Sequence, residues 1–228
     1  MPIYKSFHFN HYIVITHTFI YNQKLGIKMK ILAFTDLHLS SYAFKKIKSK
    51  VKKQNPDLLI CAGDISIFEQ GLDFILNKFN KLKKKTLIIH GNHETEKVLR
   101  KLCSKYKNLI FIHKKKYRQN NHVFLGYGGG GFSLTDSGFY KTGKKFSKII
   151  RKNRGKKIIL ITHASPYKTK LDLIVGSHCG NKTLRNFIIK NKIDLHICGH
   201  LHENFGKKDK IRKTEIINPG PYGKIIRI

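Results

Sequence analysis

The residues best suited to chemistry are a set of histidines, aspartates and one asparagine, each placed just after a short apolar run. The clearest stretch is DLHICGHLHENFG (194–206), which crowds His196, His200 and His202 at the end of such a run. Every imidazole has polar nitrogens that need a partner when buried, so an apolar core gains nothing from three of them. Matching residues occur as Asp36-Leu-His38, Gly63-Asp64, Gly91-Asn92-His93-Glu94 and His163. Together they offer carboxylates, imidazoles and an amide oxygen without thiolate, a donor set suited to Mn²⁺, Fe, Zn²⁺, Co²⁺ or Ni²⁺. Two such metals about 3.5–4 Å apart form a clamp for phosphoryl transfer. In Asp-x-His and His-x-His, an extended backbone would turn both side chains the same way and let them share a ligand.

Positioning these residues requires strands that end just before them. KILAFT (30–35), DLLICA (57–62), TLIIH (86–90), NLIFI (108–112), VFLGYG (123–128), KIILIT (157–162) and DLHIC (194–198) read as strands. Amphipathic, lysine-rich helices are predicted between them at 41–54, 68–82, 94–106, 143–153 and 181–191, with short strands near 211–217 and 223–227. Strands alternating with helices point to a largely parallel central sheet, in which function gathers beyond the carboxyl ends of the strands. Five of these strands end at the candidate residues. The glycines among them permit tight turns where a side chain would obstruct.

The ordered set Asp36-x-His38, Gly63-Asp64, Gly91-Asn92-His93-Glu94, His163 and Gly199-His200-x-His202 resembles the calcineurin-like metallophosphoesterases, over about residues 29–228. It is most similar to the small archaeal and bacterial phosphoesterases. The resemblance implies an α+β fold: a four-layer α/β/β/α sandwich with two mixed β-sheets. It also implies two divalent metal ions, Mn²⁺ foremost. Asp36, His38, Asp64 and His202 would hold one metal, and Asp64, Asn92, His163 and His200 the other, with Asp64 bridging. His93 would be the proton donor to the leaving group, and hydroxide activated by the metals the nucleophile. The expected activity is hydrolysis of a phosphodiester or phosphomonoester of a small phosphorylated molecule.

Composition limits the alternatives. The 228 residues include 46 Lys and Arg against 13 Asp and Glu, a formal charge of +33. This field attracts polyanions, so non-specific nucleic-acid binding and a metal-dependent nuclease are carried as alternatives. Lysine greatly exceeds arginine and is spread through the predicted helices, which favours the amino-acid bias of an AT-rich genome. A non-catalytic scaffold is a third reading, and the intact ligand set argues against it. Hydrophobic residues make up 40% of the chain, enough for one sizeable core. No run reaches the roughly 18 apolar residues of a membrane helix. Cys61, Cys103, Cys179 and Cys198 form no CxxC pair and read as reduced thiols of a cytoplasmic protein. Residues 1–28 read as an extension upstream of the natural start at Met29, with 29–228 as the domain. Oligomeric state is not legible.

Several residues have both plain and functional readings. His178, Gly180 and Asn181, in the segment GSHCGN that opens a helix, are candidates to border the substrate, because backbone N–H groups at a helix start favour anions. Gly129 and Gly130 belong to a glycine run (126–131) that lacks the Gly-Lys-Ser/Thr ending of a P-loop; similar stretches in related phosphoesterases place it near the substrate. His90 and His196 read as structural. Glu94 reads as a helix cap or as a support behind the site.

Overall fold

The computed structural model describes residues 28–228. The reading of residues 1–28 as an extension therefore lies, Lys28 apart, outside the described residues. The elements run in the order β1 (Lys30–Phe34), α1 (Ser41–Gln54), β2 (Leu58–Cys61), α2 (Leu72–Asn80), β3 (Thr86–Ile88), α3 (Glu96–Cys103), β4 (Leu109–Phe111), β5 (Lys115–Gln119) and β6 (His122–Tyr127). They continue with α4 (Ser137–Arg151), β7 (Lys157–Thr162), β8 (Leu173–Ile174), β9 (Ser177–His178), α5 (Lys182–Lys190), β10 (Leu195–Ile197), a 3₁₀ turn (His202–Asn204), β11 (Lys208–Ile211), β12 (Thr214–Ile217) and β13 (Lys224–Arg227).

Apart from β8 and β9, which pair with each other in a two-stranded antiparallel hairpin, these strands form two mixed sheets rather than the single central sheet that the alternating pattern suggests. One has the order β13-β1-β2-β3-β4, parallel except for β13; the other runs β11-β12-β10-β7-β6-β5, with antiparallel strands only at its two edges. The reason lies in the side-chain period of two. On β1, Ile31 and Ala33 face the second sheet, whereas Leu32 and Phe34 face the helices. On β7, Ile159 and Ile161 face the first sheet, and Ile158 and Leu160 face outward. Strands buried on both faces read as continuous apolar runs. Such runs do not disclose which sheet a strand joins.

Three cores follow. Helices α1, α2 and α3 cover the outer face of the first sheet through residues such as Phe44, Ile47, Leu76, Phe79 and Leu99. Helices α4 and α5 cover the second through Phe139, Phe146, Leu184 and Ile188. The third core lies between the sheets and completes the α/β/β/α sandwich.

Local chemistry sets the helix starts. Ser40 and Thr95 accept hydrogen bonds from the backbone N–H groups of Ala43 and Val98, capping α1 and α3. Thr95 rather than Glu94 is thus the cap of α3. The helix expected from residue 68 begins at Leu72, because Phe68 and Glu69 take left-handed backbone conformations, φ 47° and 66°. Among the described residues, no helix is long and apolar enough to cross a membrane.

Candidate metal centre

The carboxyl ends of β1, β2 and β3 in one sheet meet those of β7 and β10 in the other, and every motif residue lies just beyond them. The local backbone is not extended. Asp36 (φ 52°), His38 (φ 45°), Asp64 (φ 51°) and His200 (φ 72°) all sit in the left-handed region, and His202 begins the 3₁₀ turn. The same-face reasoning for Asp-x-His and His-x-His therefore fails, and tightly coiled loops bring the residues together instead. Each left-handed residue costs of order 1–2 kcal/mol. Cross-loop hydrogen bonds hold these conformations: the N–H of Asp36 donates to Gly63 O (3.0 Å) and that of His38 to Asp64 O (3.1 Å).

Three overlapping groups of donor atoms result, each within 4.8 Å of one another: Asp36, His38 and His202; Asp64, His163 and His200; and His38, Asp64 and His93. In the first, the Nε2 atoms of His38 and His202 face each other at 3.3 Å, and His202 Nε2 lies 3.7 Å from Asp36 Oδ1. In the second, His163 Nε2 is 3.2 Å from Asp64 Oδ2 and 3.0 Å from Asn92 Oδ1. Asp64 Oδ2 is 4.0 Å from His38 Nε2 and so adjoins both of these groups.

The tautomers determine what fits between these atoms. His163 Nδ1 is 2.9 Å from Ala62 O, and His38 Nδ1 is 3.2 Å from Ser66 O. A carbonyl oxygen only accepts, so each Nδ1 bears the hydrogen and each neutral ring presents the Nε2 lone pair to the centre. His163 Nε2 then confronts two oxygen acceptors, and buried His200 Nε2 has no partner. Lone pairs that converge in this way call for a proton or a cation between them, and the donor set suits divalent transition metals. The residues fit the two metals implied.

Electrostatics agree. Burial alone would raise the Asp64 carboxyl, but the hydrogen bond and charge of His163 and the N–H of His93 outweigh it and hold Asp64 well below the usual carboxylate range. Burial alone would lower His163, yet Asp64 pushes it up to about 9. Burial and the neighbouring His163 charge take His200 down to about 4. The site thus draws positive charge to Asp64.

Two glycines permit this packing. A Cβ at Gly91 would overlap the Asp64 carboxylate, and one at Gly199 would overlap the Thr35 hydroxyl and meet Asp36 Oδ2 at 2.7 Å. Behind the site, Glu94 is buried and accepts four hydrogen bonds, from the N–H groups of Asp64, Ser66 and Gly91 and from the Ser66 hydroxyl. Glu94 therefore supports the loop carrying Asp64. Burial, only partly offset by these bonds, raises its pKa.

His93 donates its backbone N–H to Asp64 Oδ1 (2.9 Å), and its ring meets that of His38 edge-on at 4.7 Å. Its ring lies within donor reach of His38 and Asp64, and its Nδ1 is buried without a partner. Phe68, which the sequence reading leaves inside a helix, lies against the His93 ring at 4.4 Å.

The candidate substrate residues separate. Asn181 is buried; its Oδ1 caps α5 by accepting from Leu184 N (2.9 Å), and its Nδ2 donates to Ser133 O (2.8 Å). The N–H of Gly180 donates to Asp172 Oδ2 (3.0 Å). Gly180 spends its N–H, and Asn181 its Oδ1 and one Nδ2 hydrogen, on holding the loop. His178 places Nδ1 2.8 Å from the buried Asp172 carboxylate, in the β8–β9 hairpin. Gly129 donates to His90 O (3.0 Å), and Gly130 lies against Ala164, next to His163. The run ends on Phe132, whose ring meets that of His200 edge-on at 4.6 Å.

A second cluster, His90, Glu96 and His113, also brings donor atoms together. It is poorly suited to a metal. His113 Nδ1 accepts the Gly128 N–H (2.7 Å), so its Nε2 bears the hydrogen and faces Glu96 Oε2 at 3.1 Å. Glu96 is already paired with Arg100 and Lys114. The cluster pins the glycine run to the strand end that leads into Asn92 and His93. His196, buried, places Nε2 2.8 Å from the Thr162 hydroxyl and is structural. Cys61, Cys103 and Cys198 are buried free thiols, and Cys179 is half-buried.

Comparison with known proteins gives a consistent result. The sequence profile described as calcineurin-like phosphoesterase matches residues 29–204. An uncharacterized protein of Methanocaldococcus jannaschii is 31% identical over 204 residues, covering 85% of this chain and 88% of its own. The structure of a protein from Thermus thermophilus superposes with a TM-score of 0.68 at 12% identity, covering 85% of this chain and 89% of that one. A dimetal phosphatase from Danio rerio superposes with a TM-score of 0.63 at 8% identity, covering 84% of this chain and 87% of that one. At such identities the two structures show the shared fold alone.

Proposed function

The chain belongs to the calcineurin-like phosphoesterase family and is a metal-dependent phosphoester hydrolase, and we propose that it hydrolyses the phosphate ester of a small molecule, with His93 as proton donor. The observation supporting this reading best is the convergence of lone pairs from both sheets on Asp64. Asp36, His38, Asp64 and His202 would hold one divalent cation, and Asp64, Asn92, His163 and His200 the other. Mn²⁺ is the metal proposed. When bound, such a pair supplies positive charge for phosphoryl oxygens and lowers the pKa of water.

The chain's own groups account for the rest. Glu94 and the cross-loop bonds keep the Asp64 carboxylate oriented before substrate arrives, and preorganisation of this kind favours the transition state. His93, fixed through its backbone to Asp64, would give its proton to the departing alkoxide. The glycine run leading to Phe132 lies against Ala164 and His200 and would border the substrate.

Chelation tests the reading. Protein stripped of metal should not hydrolyse bis(p-nitrophenyl) phosphate, and Mn²⁺ should restore the rate; full activity in metal-free protein would refute it. The net charge of +33 favours a second reading, action on nucleic acid. Non-specific binding would fall steeply with salt.

A further inference from the structure

Two phenylalanines stand on the surface beside the centre. Phe68 is 71% exposed and Phe132 67% exposed, although burying such a ring is strongly favourable. Both lie against imidazoles of the site, Phe68 against His93 at 4.4 Å and Phe132 against His200 at 4.6 Å. Other exposed rings have partners elsewhere. Tyr42 and Tyr222 meet each other edge-on, while Phe74 and Tyr140 lie under the ammonium groups of Lys78 and Lys144. Phe205 meets His202 but is half-buried against Gly220.

Phe68 is also held in a costly conformation. Its φ of 47° is an outlier for a bulky residue, and the next residue, Glu69, is left-handed as well. The turn is fastened to the His93 segment. The N–H of Glu69 donates to His93 O (3.1 Å), and Glu69 Oε1 accepts from the N–H (2.8 Å) and hydroxyl (2.7 Å) of Thr95. Strain maintained by three hydrogen bonds, with the result that an apolar ring faces water beside the proposed proton donor, points to a ligand for that ring.

We propose that Phe68 and Phe132 form an aromatic rim that selects phosphoesters bearing a nucleobase. The proposal rests on the phosphoesterase reading and deepens it. A phosphate drawn to the centre leaves its organic groups at the edges of the site, where these rings stand. A planar base stacks on an aromatic face with little dependence on base identity. Two separate rings provide for one or two bases and not for a continuous strand, so the substrate is a nucleotide-sized ester.

The test compares binding of the hydrolysis-proof phosphonate analogues of AMP and ribose 5-phosphate to Mn²⁺-loaded protein by calorimetry. The wild type should bind the AMP analogue about 5- to 100-fold more tightly, the range expected of one stacked base. Phe68→Leu and Phe132→Leu should each reduce that ratio, their combination should bring it close to one, and Phe68→Tyr should restore most of it. Both residues are exposed, so the fold should tolerate these changes, and an unchanged melting temperature would verify this. Equal binding of the two analogues by the wild type, or a ratio unaltered in the double variant, would overturn the rim. A fall in kcat for every ester in Phe68→Leu with the ratio intact would assign Phe68 to orienting His93 and likewise overturn it. If the metal-loaded wild type hydrolyses no ester, the phosphoesterase reading fails, and the binding ratio still decides the rim.

Discussion

His163 Nε2 lies 3.2 Å from Asp64 Oδ2 in a fully buried contact, with the opposite nitrogen of the ring tied to Ala62 O at 2.9 Å. In the absence of metal, only a proton on Nε2 resolves the meeting of these atoms, and Asp64 accordingly raises the His163 pKa to about 9. A divalent cation would replace that proton. Metal should therefore bind the folded chain far better than the unfolded one and stabilise it by mass action. Differential scanning calorimetry of chelated protein should show a melting temperature that climbs with added Mn²⁺; a temperature indifferent to Mn²⁺ would contradict a preformed site.

Glu94→Gln should weaken the same site indirectly. The amide would set donor hydrogens against N–H groups that now point at carboxylate oxygens. Leaving buried donors unpaired costs about 1–3 kcal/mol, and outer partners of metal ligands typically govern about 10–100-fold in affinity. Urea titrations and metal-competition assays should show both losses. Unchanged metal affinity would restrict Glu94 to holding the backbone.

Acid should destabilise the protein through buried histidines that are not among the candidate metal ligands. Burial takes His196 down to about 3, and burial together with neighbouring His90 takes His113 to about 3. Both are neutral when folded and acquire protons first in the unfolded chain. Their contribution is complete above the unfolded pKa of about 6.5 and is lost as pH falls from there toward 3. Each adds a slope approaching about 1.4 kcal/mol per pH unit. In chelator, His196→Gln should show a shallower loss between pH 6 and pH 4 by urea denaturation; an identical slope would remove His196 from the account.

Much of this centre is legible in the sequence because its chemistry lies at strand ends. Asp36, Asp64, Asn92, His163 and His200 follow apolar runs that are themselves easy to read. Their local shape is not legible, since left-handed φ at Asp36, His38, Asp64 and His200 depends on bonds between loops distant in sequence. β5, Lys115–Gln119, escapes because an exposed edge strand of sequence KKYRQ has little apolar alternation. β8 and β9 have two residues each, too few for any period. Phe68 looks like the first apolar residue of a helix, and only the fold discloses it as a strained, exposed ring. His113 looks like a strand's end, and its role in holding Gly128 is a tertiary contact.

The most direct measurement sets His93 against Asp64 by metal analysis and by rates on two esters of different leaving-group pKa. Asp64 adjoins the donor groups proposed for both cations, so Asp64→Asn removes a charge that each cation needs. That variant should lose metal and activity together. His93→Ala should keep most of its metal and fall in rate by roughly 10²–10⁴, the range of a positioned proton donor. Its deficit should shrink on p-nitrophenyl esters, whose leaving group scarcely needs a proton. Loss of metal in His93→Ala comparable to that in Asp64→Asn, or equal slowing of both esters, would contradict the assignment of His93 as proton donor beside a two-metal centre.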